Sequence, residues 1–242
     1  MVNILVADDN IYYAKILVNY IMSKNDGVRV VNISTNGKEV IENLKTRKVD
    51  ILILDLKMPE ISGIQLLDKI QILNLDVSII ITSGDNILKR HIINNKKVEG
   101  YINKLEGLER VSQKINEIVE KKNNKANSDL IKNKVLEELL ELGYNIKYNG
   151  TKYLTEVISL VYEKYDQNNI NGDIINLEQY FYKKVANKYS KNVKNIKVNI
   201  VNATESMYME CERNKLQQYF CFSYDHKPTT KVVIDTVLSK IV

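Results

Sequence analysis

The chain has 242 residues, room for two ordinary domains, with 44% apolar and 27% charged residues, the balance of a soluble globular protein. Its formal net charge of +5 permits a nucleic-acid partner without requiring one. No apolar run nears the ~20 residues of a membrane span, and the opening MVNILVADDN reaches acid too early for a signal peptide, so a cytoplasmic protein is expected.

Short apolar runs alternate with amphipathic stretches along the first half. The runs are NILVA (3–7), VRVVNI (28–33), DILIL (50–54), VSIIIT (77–82) and GYI (100–102). Helix-like stretches lie near 11–24, 37–46, 63–73, 86–95 and 107–121. Continuous Val/Ile/Leu runs separated by helices predict a parallel sheet covered on both faces. The expected fold is a doubly wound, five-stranded α/β domain of the flavodoxin-like kind over 1–121. EKKNNKANS (120–128) is polar and lacks an apolar anchor, so 122–128 reads as a linker. From 129 to 242 helical periodicity dominates, which predicts an all-α second domain. Cys211 and Cys221 are the only cysteines. With no CxxC pair they read as free thiols of a reducing compartment.

In such sheets, sites form outside the carboxyl ends of the strands. The polar residues there are Asp8 and Asp9, then Asp55, then Thr82 and Ser83, and shortly after the fifth run Lys104. Carboxylates held together repel unless a cation sits among them. Hard oxygen ligands suit Mg²⁺, with Ca²⁺ the alternative. An Asp beside such a metal can act as a nucleophile toward a phosphoryl group. The Thr82 hydroxyl and Lys104 ammonium can then hold phosphoryl oxygens. Met58-Pro59 fixes the loop after Asp55, and Gly63 allows a tight entry to the next helix.

These residues, in this order, resemble the receiver domain of bacterial response regulators over about 1–120. The resemblance implies that Asp55 is the phosphoacceptor. It implies that Asp8, Asp9, Asp55 and the Lys57 carbonyl bind the metal, that Thr82 and Lys104 act on the phosphoryl group, and that Tyr101 is the aromatic switch partner. A buried structural Tyr101 is the other reading. One position departs: Leu105 stands where receivers carry Pro after the Lys.

In the second domain, no acid lies between Glu178 and Glu205, while Lys183, Lys184, Lys188, Lys191, Lys194 and Lys197 all do. YFYKKVANKY (180–189), a short break and a second helix from about 192 to 208 fit a helix-turn-helix. Val193, Ile196, Ile200, Ala203 and Met207 form one apolar stripe of that second helix. At about 100° per residue the opposite face carries Lys191, Asn195, Val198, Asn202 and Glu205. Lys suits phosphates, Asn suits adenine edges, and Val198 and Val201 suit thymine methyls. The expected DNA-contacting set is Lys191, Asn192, Lys194, Asn195, Lys197, Val198 and Asn202. The bland alternative is a solvated Lys-rich surface.

LGYNIKYNGTKYLTEVISLVYE (142–163), the basic helix pair at 180–208 and KPTTKVVIDTVLSKI (227–241) resemble the effector domain of the sporulation stage zero master regulators of spore-forming Firmicutes. That resemblance implies a phosphorylation-activated, DNA-binding transcription factor of sporulation genes. Its implied partners are DNA, a histidine kinase or phosphotransfer protein as phosphodonor, RNA polymerase, and a second copy of the chain as a homodimer on phosphorylation. The family's outward recognition arginines are replaced here by Asn195, Val198 and Val201. An interaction protein with altered or lost DNA specificity therefore stays open. An enzyme is not expected. After 128 there is no acid/base pair beside a nucleophile and no Gly-rich phosphate loop, and the only histidine is His226.

Overall fold

A computed structural model describes residues 1–84, 92, 95–168, 178–220 and 226–241. The chain divides into two compact units, Met1–Asn123 and Asn124–Val242. In the first, strands β1 (Val2–Ala7), β2 (Val28–Ser34), β3 (Ile51–Asp55), β4 (Ser78–Ser83) and β5 (Val98–Asn103) form one sheet in the order β2-β1-β3-β4-β5. Every neighbouring pair is parallel. That is the flavodoxin-like doubly wound order, whose site lies at the carboxyl edge, by the switch point between β1 and β3.

The continuous apolar runs become central strands because alternate residues enter two different cores. Leu5, Leu52, Leu54, Ile79 and Ile81 pack with Val40 of α2 (Gly37–Thr46) and with Leu66, Leu67 and Ile70 of α3 (Gly63–Ile72). Ile4, Val6, Ile51, Ile53 and Ile80 pack on the other side with Ala14, Leu17 and Ile21 of α1 (Ile11–Lys24). Val111, Ile115 and Ile118 of α4 (Leu108–Glu141) complete that side. The predicted helical stretch 86–95 lies almost wholly outside the described residues.

The stretch 122–128, read from composition as a linker, is helical: it lies within α4. The reason is visible in the sequence. Residues 108–141 contain neither Gly nor Pro, so nothing breaks the helix. Polar residues on every side leave the middle of it in water.

The second unit is helical among the described residues. It contains α5 (Asn149–Asn168), a π-turn at Glu178–Tyr182, α6 (Lys183–Lys188), α7 (Val193–Glu210), α8 (Arg213–Phe220) and α9 (Thr230–Ile241). Its core joins Val135 and Leu139 of α4 to Leu154, Val157 and Ile158 of α5, Ile196 and Ile200 of α7, and Val233 and Val237 of α9. Gly150 sets the α5–α7 approach: a Cβ there would lie 1.9 Å from the Asn199 carbonyl oxygen. The last helix begins at Thr230. Thr229 caps it, accepting from the Val232 N–H at 3.3 Å, and Pro228 stands before the cap.

Candidate functional site

The carboxyl edge of the sheet gathers the predicted acids. Asp8 follows β1 and Asp55 ends β3, and both are buried, 1% and 5% exposed. Asp9 is exposed. Carboxylate oxygens of Asp8, Asp9 and Asp55 lie within 4.8 Å of one another. Lys104, in a 3-10 turn after β5, reaches back between them. Its Nζ lies 2.5 Å from Asp55 Oδ2 and 2.7 Å from Asp8 Oδ2, and 4.7 Å from the centre of the Tyr13 ring. Thr82, 1% exposed, is the register partner of Asp55 on the adjacent strand.

Burial pushes the Asp8 carboxyl above the usual carboxylate range. The Lys104 ammonium pulls it back, and the neighbouring Asp55 pushes it up again. For Lys104, burial acts to lower the pKa, but the two carboxylates outweigh it and the ammonium is held above its ordinary value. Asp8 Oδ1 accepts from the Asn10 N–H at 3.0 Å. Asp8 Oδ2 is buried and has no aligned donor, although Lys104 lies close. A buried carboxylate oxygen that meets only the Lys104 ammonium, beside two further carboxylates within 4.8 Å, fits a small hard cation. The cluster has the chemistry to hold a metal.

The loop after Asp55 is tightly built. The Lys57 N–H donates to Asp55 Oδ1 at 3.1 Å, and the Gly63 N–H donates to the Leu56 carbonyl at 3.0 Å. A Cβ on Gly63 would lie 2.6 Å from Leu56 Cα and 2.8 Å from the Asp55 carbonyl oxygen. Glycine is therefore required here by a close backbone approach rather than by a left-handed turn. Ser62 and Gln65 form a capping box at the start of α3. Tyr101 is half-buried, facing Ile81 in register and packed against the core. Leu105, in the departing position, is 91% exposed.

In the second unit, α6 and α7 are joined by a four-residue turn, 189–192. Ser190 holds φ at 52°, and the Lys191 N–H closes the turn on the Ala186 carbonyl at 2.9 Å. The predicted stripe faces inward: Ile196, Ile200, Ala203 and Met207 are buried, and Val193 packs against the core. Lys191, Asn192, Lys194, Asn195, Lys197, Val198 and Asn202 are all exposed.

They are not equivalent. Asn192 is the N-cap of α7, its side-chain oxygen accepting from the Asn195 N–H at 2.7 Å. Asn199 Nδ2 donates to both the carbonyl and Oδ1 of Asn195 at 2.8 Å. Lys188 is ion-paired with Glu156, and Lys227 meets Glu205 at 3.4 Å. Lys184 lies 4.6 Å from the centre of the Tyr180 ring. Sequence reasoning missed Tyr13 as a neighbour of Lys104, Glu156 as the partner of Lys188, and Asn199 as the brace of Asn195. The i, i+4 spacing of Asn195 and Asn199 was the available signal for the last. Cys211 is a free thiol, and Cys221 lies outside the described residues. Among the described residues, no helix is long and apolar enough to cross a membrane.

Comparison with known proteins agrees with this division. Residues 4–116 match the family model of the response regulator receiver domain. Residues 135–241 match the model named sporulation initiation factor Spo0A C terminal. A protein-glutamate methylesterase/protein-glutamine glutaminase from Clostridium acetobutylicum is 30% identical over 83 residues, 34% of this chain and 24% of that protein. One of the same name from Desulfotalea psychrophila is 35% identical over 68 residues, 28% of this chain and 18% of that protein. The chain thus spans a quarter or less of the length of these curated relatives. Among solved structures, a LuxR-family DNA-binding response regulator from Staphylococcus aureus shares 21% identity with a TM-score of 0.46. The match covers 49% of this chain and 98% of that one. A Francisella response regulator receiver domain shares 23%, with 50% and 99% covered and a TM-score of 0.46.

Proposed function

We infer, from a chain that is a response regulator joining a receiver domain to a sporulation initiation factor Spo0A C-terminal domain, that it is a phosphorylation-activated, DNA-binding transcription factor of sporulation genes. The observation that carries the reading is the meeting of Asp8, Asp9, Asp55 and Lys104 at the carboxyl edge of the sheet.

Asp55 is the phosphoacceptor. One of its oxygens attacks the phosphorus of a phosphohistidine on a kinase or phosphotransfer protein. The phosphorus–nitrogen bond breaks, and the freed histidine nitrogen takes up a proton. Asp8, Asp9, Asp55 and the Lys57 carbonyl are the residues to hold Mg²⁺, with Ca²⁺ the alternative. When bound, the metal supplies positive charge that lets an acidic edge accept a further anion. Lys104 releases its pairing with the carboxylates and takes a phosphoryl oxygen, and the Thr82 hydroxyl donates to another. A phosphoryl group adds about −1.5 to −2 charge at this edge. Thr82 moving inward draws Tyr101 after it, and the receiver unit gains a homodimer surface.

On DNA, α7 enters the major groove, and its lysines contact phosphates while Asn195 reads a base edge. Lys188, already paired with Glu156, is set aside from that role. A dimer on paired sites gains affinity through effective concentration. RNA polymerase is the downstream partner and the cytoplasm the compartment.

The test is phosphorylation with a small phosphodonor and Mg²⁺. The mass of the wild-type chain rises by one phosphoryl group and that of Asp55→Asn does not. Normal labelling of Asp55→Asn removes the site assignment.

A further inference from the structure

We propose that Val198 reads DNA sequence by packing on the 5-methyl group of thymine. The duplexes that α7 selects then present an A·T pair beneath its second turn. This rests on the DNA-binding reading above and names the class of site it takes.

The buried stripe Ile196, Ile200, Ala203 and Met207 fixes which face of α7 points outward. At about 100° per residue, Val198 stands opposite the middle of that stripe. It is 47% exposed. Its neighbours one turn away on the same face are Lys194, Asn195 and Asn202, all exposed and polar. A lone exposed valine is ordinary on a protein surface. Here it occupies the centre of a largely polar face, bordered by half-buried Val201 one turn on and by exposed Glu205 two turns on.

Groove chemistry then selects its target. In the major groove only thymine offers an apolar group, the C5 methyl, and an aliphatic side chain is its natural contact. Arginine, the commonest reader of guanine, does not occur between residues 178 and 210. The amide of Asn195 matches the N7 and N6 edge of adenine. Asn199 holds Asn195 through two hydrogen bonds of 2.8 Å. Less side-chain freedom is lost when a base is engaged, so Asn199 is a positioning residue. A valine for thymine methyls beside an asparagine for adenine reads the two partners of the same kind of pair.

The experiment uses the full, phosphorylated chain and a site enriched from a random duplex pool. Each thymine of that site is replaced in turn by deoxyuridine, which removes the methyl and leaves every hydrogen-bonding group. For the wild type, one replacement weakens binding about fourfold, the factor equivalent to burying one methyl-sized group at ~0.8 kcal/mol. Val198→Ala binds the thymine site about that much more weakly and no longer distinguishes thymine from uracil there. Its melting temperature stays that of the wild type, because the side chain is exposed. Indifference of the wild type to uracil at every position overturns the proposal. So does an equal uracil penalty in wild type and Val198→Ala. Failure to retard any duplex overturns the DNA-binding reading itself, a result distinct from both.

Discussion

At the carboxyl edge of the sheet, Asp8 and Asp55 are buried and share Lys104. On α7, Lys194 and Asn195 are exposed, as is Lys191 in the turn before it. The first region has its chemistry assembled before any partner arrives, because buried charges must find one another. The second has its scaffold assembled, with Asn192 capping the helix and Asn199 bracing Asn195, while Lys191 and Lys194 remain exposed. The two regions should therefore fail differently. Damage to the edge costs stability as well as activity, and damage to the α7 face costs recognition with the fold intact.

The largest effect is expected at Lys104. Lys104→Met leaves Asp8 and Asp55 buried without their cation. The loss of unfolding free energy at neutral pH, without divalent metal, should fall near the low end of the roughly 3–5 kcal/mol typical of a broken buried pair, since the Lys104 side chain is 23% exposed. Mg²⁺ should return part of it. The pH dependence has a definite sign. The Asp8 carboxyl is raised in the folded chain, so the unfolded chain releases that proton first. Its contribution is present at acid pH and lost as pH rises from the ordinary carboxylate value, ~3.9, through the higher folded one. The Lys104→Met deficit should shrink on acidification, read by urea unfolding at several pH values. A deficit independent of pH and metal would erase the contrast with α7.

Gly63→Ala tests whether backbone approach alone builds the edge. Its Cβ meets backbone rather than a flexible side chain, so the loop after Asp55 has to move. A stability loss of about 1–3 kcal/mol, of the overpacking kind, should accompany slower phosphorylation of Asp55. A wild-type labelling rate would show that the loop has slack.

Within α7, Asn192→Ala and Asn195→Ala should separate cleanly. Loss of the cap at Asn192 lowers stability by ~1 kcal/mol and weakens binding to every duplex alike. Asn195→Ala leaves the melting curve unchanged and costs about 1–3 kcal/mol on the preferred site only. Thermal melts beside titrations on a selected and a scrambled duplex distinguish them. Equal behaviour of the two variants would mean that Asn195 reads no base.

These contrasts follow how much was legible in the sequence. The apolar runs revealed the sheet, because a strand covered on both faces has one chemical solution. Asp8, Asp55, Thr82 and Lys104 were legible because each follows or ends such a run. The inward stripe of α7 was legible for the same periodic reason. The polar stretch 122–128 showed exposure but not its conformation: a helix without Gly or Pro can be exposed on every side. The lysine run looked uniform because sequence does not show that Lys188 meets Glu156, 32 residues away. That Asn192 caps α7 became visible only once the first turn of the helix was fixed.

The central claim is that chemistry at Asp55 governs recognition by α7. The most direct measurement is retardation of promoter DNA by the wild type and by Asp55→Asn, each with and without a small phosphodonor and Mg²⁺. The account predicts that phosphodonor strengthens wild-type binding on the order of tenfold or more, as pairing of two chains on one duplex provides, and leaves Asp55→Asn unchanged. Wild-type binding indifferent to phosphodonor, or an Asp55→Asn chain that responds as the wild type does, would contradict it.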